Sequence, residues 1–329
     1  MIKIALDKYP FWTSLKIGPN IFLERLSKSL KKLDCKLTSR FDPFYDIGLF
    51  AIKNKSLFKK PYVIRIGGIF FDKFNTIINT NDENNKIFNS INSSSGVVFI
   101  SEFTKTLVKK FYPSFNKESV VINNSVCLKE FTPLGENLRE KFGFNKESFV
   151  IVVSAAWRRH KRLKETIKFF KILKNKFRNL KLLIIGEQKE NYNDDDNFFA
   201  GKIKPENLPT YYRTGNLYLH LAWIEQNANT QVEALACGLP SICSNNGGNK
   251  ETIINCNGGI VCETDDEYNF NLVDYYNPPE PNYENLIKSF NEIYMNYNIY
   301  KNQINFNPID IKLASKKYYD FLKKCANLY

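Results

Sequence analysis

Apolar residues gather in short runs at 2–6, 47–52, 62–66, 97–100, 150–153, 182–185 and 217–221. Runs of this length, bounded by polar or turn-forming residues, predict strands buried on both faces. Between many of them the apolar spacing changes to the helical period. Over 20–33, Phe22, Leu23, Leu26, Leu30 and Leu33 share one stripe, and over 161–177 Leu163, Ile167, Phe170, Leu173 and Phe177 do the same. A third amphipathic helix is predicted over 309–324, with Ile311, Ala314, Tyr318 and Phe321 on its apolar face. Strands alternating with helices predict a parallel sheet covered on both sides, the α/β class.

The 329 residues accommodate two such sheets, since a domain averages roughly 150 residues. The predicted seam is 129–148, where Pro133-Leu-Gly135 and mixed charges separate a strand near 120–123 from a new one beginning at Phe149. The stretch 269–283, with Pro278, Pro279 and Pro281, reads as a polar loop. No internal repeat is visible. The resulting domains are 1–140 and 141–304, with 305–329 as a closing helix.

Composition narrows the function. Aromatic residues make up 15 % and hydrophobic residues 43 % of the chain, which supports packed cores and excludes a wholly disordered protein. No run approaches the roughly 20 apolar residues of a spanning helix. The opening MIKIALDKYPFW lacks the basic, apolar and cleavage regions of a secretory signal, so a soluble cytoplasmic protein is expected. Seven scattered cysteines without a CxxC pair, and only two histidines, predict buried thiols and no structural metal. Three consecutive acids, Asp194–Asp196, read as a solvated loop. The net charge of +13 favours a polyanionic partner: nucleic acid, an anionic membrane or a phosphorylated small molecule. No RNA-binding aromatic signature or helix-turn-helix placement supports specific nucleic-acid binding. Lys28, Lys31, Lys32, Lys53, Lys55, Lys59 and Lys60 would suit peripheral contact with anionic lipid, or simply solvate their half of the chain.

Two segments carry the chemistry. In the first, a strand from Leu217 runs to Trp223, a polar loop bears Glu225, Asn227 and Asn229, and a small-residue helix begins near Thr230 and ends at Gly238-Leu-Pro240. Ligands of open parallel sheets bind beyond the carboxyl ends of the strands, and amides at a helix start favour phosphate. Glu225 and Glu233 can both border one ligand there; alternatively, Thr230 and Glu233 form a capping box. In the second, Arg158, Arg159, His160, Lys161 and Arg162 lie between the strand at 149–153 and the next helix. Cations at a helix N-terminus oppose its dipole, so this cluster reads as a diphosphate grip. His220, inside an apolar run, reads as a core histidine, and His160 as a phosphate-loop partner.

The pattern Glu225-x7-Glu233, continued as Glu233-Ala-Leu-Ala-Cys-Gly-Leu-Pro-Ser-Ile, resembles the nucleotide-sugar segment of GT-B retaining glycosyltransferases of glycosyltransferase family 4. The resemblance extends over roughly 150–270, through Phe198-Phe-Ala-Gly201-Lys202, Asn246-Gly-Gly-Asn-Lys-Glu251 and Gly258-Gly259. Weaker markers in the first half are Phe99-Ile-Ser101-Glu-Phe103 and Val121-Ile-Asn123-Asn-Ser125. It implies two Rossmann-like domains facing across a cleft, with the closing helix returning to the first. It further implies Glu225 as the contact to the transferred sugar and Glu233 as the ribose contact, with Gly201 and Lys202 covering the base. Arg158, Lys161, Asn227, Ala228, Asn229 and Gly18 would surround the sugar and diphosphate. Ala228 stands where the family has Gly, and Arg158 substitutes for an absent Gly-Arg. In Arg65-Ile-Gly67-Gly68, Gly67 stands where the resembling proteins have Asp; either Asp72 or a neighbour takes that residue's role, with Asp72 the candidate catalytic acid or base, or the acceptor pocket differs. The implied reaction transfers a sugar from a nucleoside diphosphate sugar to a glycan, lipid-linked or other hydroxyl acceptor, without cofactor or essential metal. A nucleotide-sugar epimerase on the same architecture and a non-catalytic polyanion-binding protein are the alternatives.

Overall fold

The computed structural model describes residues 1–7, 9–10, 18–54, 56–75, 78–187 and 197–327. The Asp194–Asp196 run and Lys55 lie outside them. The chain begins β1 (Ile2–Leu6), α1 (Gly18–Leu30), β2 (Cys35–Ser39), β3 (Ile47–Ala51), β4 (Tyr62–Ile66), α2 (Thr80–Asn92), β5 (Gly96–Phe99), α3 (Glu102–Phe111) and β6 (Ser119–Val121). It continues with β7 (Phe149–Ser154), α4 (Leu163–Lys174), β8 (Leu180–Ile185), β9 (Asn197–Gly201), α5 (Leu208–Tyr212), β10 (Leu217–His220), α6 (Asn229–Ala236), β11 (Ser241–Ser244), α7 (Asn249–Cys256) and β12 (Gly259–Cys262). Three helices close it: α8 (Tyr283–Met295), α9 (Tyr297–Asn302) and α10 (Ile311–Cys325).

Two compact units result. The first comprises Met1–Cys127, Asn269–Val273 and Ile309–Tyr329, and the second Leu128–Tyr268 with Asp274–Pro308. The first unit holds a parallel sheet in the order β2-β1-β3-β4-β5-β6. The predicted stripe of α1 buries Phe22, Leu23, Leu26 and Leu30 against Ile2, Ile4 and Leu6 of β1, and Ala314, Tyr318 and Phe321 of α10 complete that core. Each such side chain contributes about 1.5–3 kcal/mol of transfer free energy. Polar contacts fix α10 as well: the Ser29 and Ser315 hydroxyls are 2.8 Å apart, and buried Arg65 donates from Nε to the Tyr318 hydroxyl at 3.1 Å. Helix starts are locally encoded. Asn79 caps α2, Ser101 caps α3, and Asp310 caps α10 through bonds to first-turn amides.

In the second unit the order is β12-β11-β10-β7-β8-β9, again parallel throughout. Every residue of β7 is buried, as its unbroken apolar run requires of a central strand. Strands leave β7 in opposite sequence directions, so the β7–β10 pair is the point at which the topology switches. Ligand crevices of open α/β sheets form beyond the carboxyl ends of the strands at such a point. Gly186 shapes this rim: at φ +118° it lies where a Cβ would stand 2.0 Å from the Ala155 carbonyl oxygen. Only glycine permits both that backbone and that approach.

Candidate functional site

Both chemistry-bearing segments follow the two strands at the switch. After β7 the chain turns through Ala155–Arg158 and a short 3₁₀ turn, Arg159–Lys161, before α4. After β10 it passes through Glu225 to α6. A backbone bond joins the two exits, with the Trp223 amide donating to the His160 carbonyl at 2.9 Å. The side chains converge too: Lys161 forms an ion pair with Glu225, each side chain 16 % exposed. Burial, with Arg158 nearby, pushes the Lys161 ammonium down to about 7, and its carboxylate partner opposes that shift.

Glu225 is held through its backbone by the Asn246-Gly-Gly turn. It bridges Gly247, and the Gly248 amide donates to its carbonyl at 2.7 Å. Gly247 has φ +97°, and a Cβ there would stand 2.2 Å from the Glu225 carbonyl oxygen. Gly247 is therefore the condition for placing this acid.

Glu233 lies within α6 and is buried. The N-cap of α6 is Ala228, with no side-chain cap bond, so Thr230 sits in the first turn and the Thr230/Glu233 capping box does not form. Thr230 Oγ1 instead lies 2.9 Å from the Tyr218 hydroxyl, which donates to the Ser154 carbonyl at 3.1 Å. The buried Tyr212 hydroxyl donates to Glu233 Oε2 at 3.2 Å. Burial first, and the Glu233 charge second, push the Tyr212 phenol well above its ordinary value, which keeps it a donor. The sequence marks Tyr212 only as half of a Tyr-Tyr pair; its role becomes visible once α5 is packed on α6.

The loop between the two acids is braced by α7. Asn227 donates from Nδ2 to Thr252 Oγ1 at 2.9 Å, and Gln231 donates from Nε2 to the Asn249 carbonyl at 2.9 Å. The Ala228 amide, expected to face a diphosphate, donates to Asn249 Oδ1 at 2.7 Å. Asn229 opens α6. Asn249 is thus a positioning residue that the sequence reading passes over as one letter of a glycine turn.

The five-residue basic cluster divides by role. Arg158 is exposed and makes no ion pair among the described residues, and Lys161 meets Glu225. Arg159 is committed to Glu165 at 2.7 Å. Arg162 is not part of the expected grip. It is fully buried, in the left-handed region at φ 58°, and donates from Nη1 to Asp265 Oδ2 at 2.9 Å and from Nη2 to the Pro279 carbonyl at 2.7 Å. His160 is buried and stacks on Tyr275 with ring centroids 4.2 Å apart. Burial, then the charges of Lys161 and Arg158, push it down to about 2, while burial and Lys161 push His220 down to about 3. Both rings are neutral at physiological pH. His220 Nδ1 lies 3.4 Å from the Tyr218 hydroxyl.

Gly201 ends the edge strand β9 at φ +66°, its carbonyl accepting the Gly186 amide at 2.8 Å. Lys202 is exposed, 3.6 Å from Glu187. Gly18 and Asp72 belong to the first unit. Gly18 opens α1; Asp72 is buried, bridges Val273, and accepts the Phe74 amide on Oδ1 at 3.3 Å. Among the described residues no three His, Cys, Asp or Glu side chains cluster as metal ligands, and the seven cysteines are unpaired.

Residues 135–272 match the family described as Glycosyl transferases group 1. Protein CapJ of Staphylococcus aureus is 26 % identical over 267 residues, covering 76 % of this chain and 64 % of CapJ. The capsular polysaccharide biosynthesis glycosyltransferase CapM of the same organism is 27 % identical over 187 residues, covering 53 % and 49 %. The chain spans less than two thirds of the length of these curated relatives. Among solved structures, sucrose-phosphate synthase from Thermosynechococcus elongatus superimposes with a TM-score of 0.76 at 12 % identity, covering all of both chains. Anabaena HepE in complex with UDP-glucose gives 0.63 at 13 % identity, covering 98 % of this chain and 100 % of that one. WaaG, a glycosyltransferase involved in lipopolysaccharide biosynthesis, gives 0.67 at 11 %, covering 98 % and 99 %. The two parallel six-stranded sheets with their helices are those of the GT-B fold.

Proposed function

We propose that the protein is a retaining glycosyltransferase of family 4 that moves a sugar from a nucleoside diphosphate sugar to a hydroxyl of a glycan or lipid-linked acceptor. The observation that carries this reading is the convergence of Lys161 and Glu225 from the two strands at the switch, with Glu233 buried one helical segment further on. Binding is the first task. Glu233, oriented by Tyr212, accepts from the ribose hydroxyls, and Arg158 and Lys161 take the diphosphate. As the sugar–phosphate bond breaks, negative charge grows on the leaving diphosphate. Cations already in place stabilise it without reorganising. Glu225 faces the sugar, where its charge favours the positive character developing at the anomeric carbon. The relatives found with UDP-glucose and in capsule synthesis make UDP-sugars the first donors to test and a growing polysaccharide the first acceptor.

Thermal stabilisation by UDP, GDP, ADP and their sugars tests the assignment. One nucleotide should raise the melting temperature, by an amount equivalent to about 2.7 kcal/mol at a hundredfold excess over Kd. Glu233→Ala should lose most of that gain, and Tyr212→Phe part of it. An unchanged gain in Glu233→Ala would remove Glu233 from the nucleotide site.

The pH dependence follows from Lys161. Its ammonium is charged below about 7 and neutral above, so affinity for the nucleotide sugar should be greatest below that value and fall as pH rises through it. Titration calorimetry with the intact sugar nucleotide avoids the terminal phosphate's own ionisation. In Lys161→Arg the guanidinium does not titrate, and the decline should vanish. A wild-type profile that is flat through this range would show that Glu225 keeps the Lys161 ammonium charged across it.

A further inference from the structure

The net charge is not shared between the two units. Counted over the sequence, the first unit has 25 Lys and Arg against 12 Asp and Glu, while the second has 22 against 22. The entire excess of +13 therefore belongs to the unit that lacks the Lys161–Glu225 pair. A diphosphate grip in the second unit does not account for it.

The same unit exposes large apolar side chains. Among the described residues the connections β2–β3 and β3–β4 contain no helix. They expose Phe41 at 58 %, Phe44 at 77 % and Leu57 at 69 %. The two connections are one surface, because Tyr45, next to Phe44, reaches Ser56, next to Leu57, with their hydroxyls 2.5 Å apart. Lys60 ties them again by donating to the Tyr45 carbonyl at 2.9 Å. Their apolar tips are thus held outward by a fixed base. Phe41 and Phe44 flank Asp42, which is paired with Lys3 at 2.7 Å and accepts from Thr38 Oγ1 at 2.6 Å.

Cations border the tips. Lys36 is exposed on β2, on the side opposite its buried neighbours Cys35 and Leu37 and the same side as Thr38, and Lys59 is exposed beside Leu57. The Arg40 guanidinium lies over the Phe41 ring, 4.8 Å from its centroid. Of the lysines marked in the sequence, Lys53 is instead paired with Glu83, and Lys28 with Glu24 at 3.0 Å. Lys31, Lys32 and Lys59 remain exposed.

We propose that this surface seats the first unit on an anionic bilayer, Phe41, Phe44 and Leu57 entering the headgroup region while Lys36 and Lys59 meet lipid phosphates. Aromatic and long apolar side chains with basic neighbours partition to that boundary, and each cation adds attraction to anionic lipid. No helix among the described residues is long and apolar enough to cross a membrane, so the contact is peripheral. Charge complementarity selects the occupant. A second copy would bring the same basic surface against itself, whereas anionic lipid neutralises it.

The test is sedimentation of the full chain with phosphatidylcholine vesicles, with and without phosphatidylglycerol, and is read without turnover. Binding should require phosphatidylglycerol and weaken with salt. The triple variant Phe41→Ser/Phe44→Ser/Leu57→Ser should bind about tenfold or more weakly, with an unchanged melting temperature because all three side chains are exposed. Lys36→Glu/Lys59→Glu should also weaken binding. Equal vesicle binding by the apolar variant, binding to heparin with none to vesicles, or a self-association that the apolar variant abolishes in the absence of vesicle binding would each overturn the proposal.

Discussion

Glu225→Gln is expected to lower kcat by about 10²- to 10³-fold, the usual effect of deleting one preorganised electrostatic contact at a reacting centre. Its effect on nucleotide affinity should be small or even favourable. Below about pH 7, where Lys161 is charged without a partner, the substitution removes the carboxylate that pairs with it, leaving that ammonium's charge for the diphosphate alone. The two parameters therefore separate: turnover collapses while Kd for the nucleoside diphosphate holds or tightens. Glu233→Ala should do the opposite, weakening nucleotide binding first. If Glu225→Gln turns over normally but binds nucleotide poorly, the roles of the two acids are exchanged.

Asp265→Ala should have the largest effect on stability, costing about 3–5 kcal/mol, the range for breaking a buried ion pair from one side. Arg162 is fully buried, and the Asp265 carboxylate supplies its counter-charge. The loss would also reach the site, since Arg162 occupies the left-handed position between Lys161 and α4. Urea unfolding monitored in the second unit gives the free energy directly. An apolar pair, Arg162→Met with Asp265→Leu, should recover much of the loss because neither charge then needs a partner. A cost below about 1 kcal/mol for Asp265→Ala would mean that water reaches the guanidinium, at odds with its burial.

The interior strands were legible in the apolar runs, except β11, whose Ser-Ile-Cys-Ser is too short and polar to stand out. Uninterrupted runs such as Phe149–Ser154 have no polar face to confuse them, and the α1 and α10 stripes keep the helical period throughout. The edge strand β2, Cys-Lys-Leu-Thr-Ser, alternates over five residues and offered too little signal. The two-part identity of the basic cluster was not legible either. Arg158 and Arg162 are equivalent as letters, and only the fold brings Asp265 from 103 residues away to claim one of them. Asn269–Val273 joins the first unit by pairing Val273 with Asp72. A five-residue excursion inside a proline-rich loop has no periodicity from which to read it. The placement of Glu225 on a loop and Glu233 in the following helix was legible because both are local features; the Tyr212 and Asn249 bonds that orient their neighbourhood are long-range and were not.

The closing helix has a consequence for how the protein is made. The strands of the first sheet are complete at Val121, but α10, which covers Ile4, Leu6 and the α1 stripe, begins only at Ile311. Some 190 residues must leave the ribosome in between, roughly 10–40 s at ordinary rates of translation. Throughout that interval the early lobe presents an uncovered apolar face, and by its end the later lobe has all of its own sequence. The half synthesised first is thus the half that finishes last, and nascent-chain chaperones should be found on it.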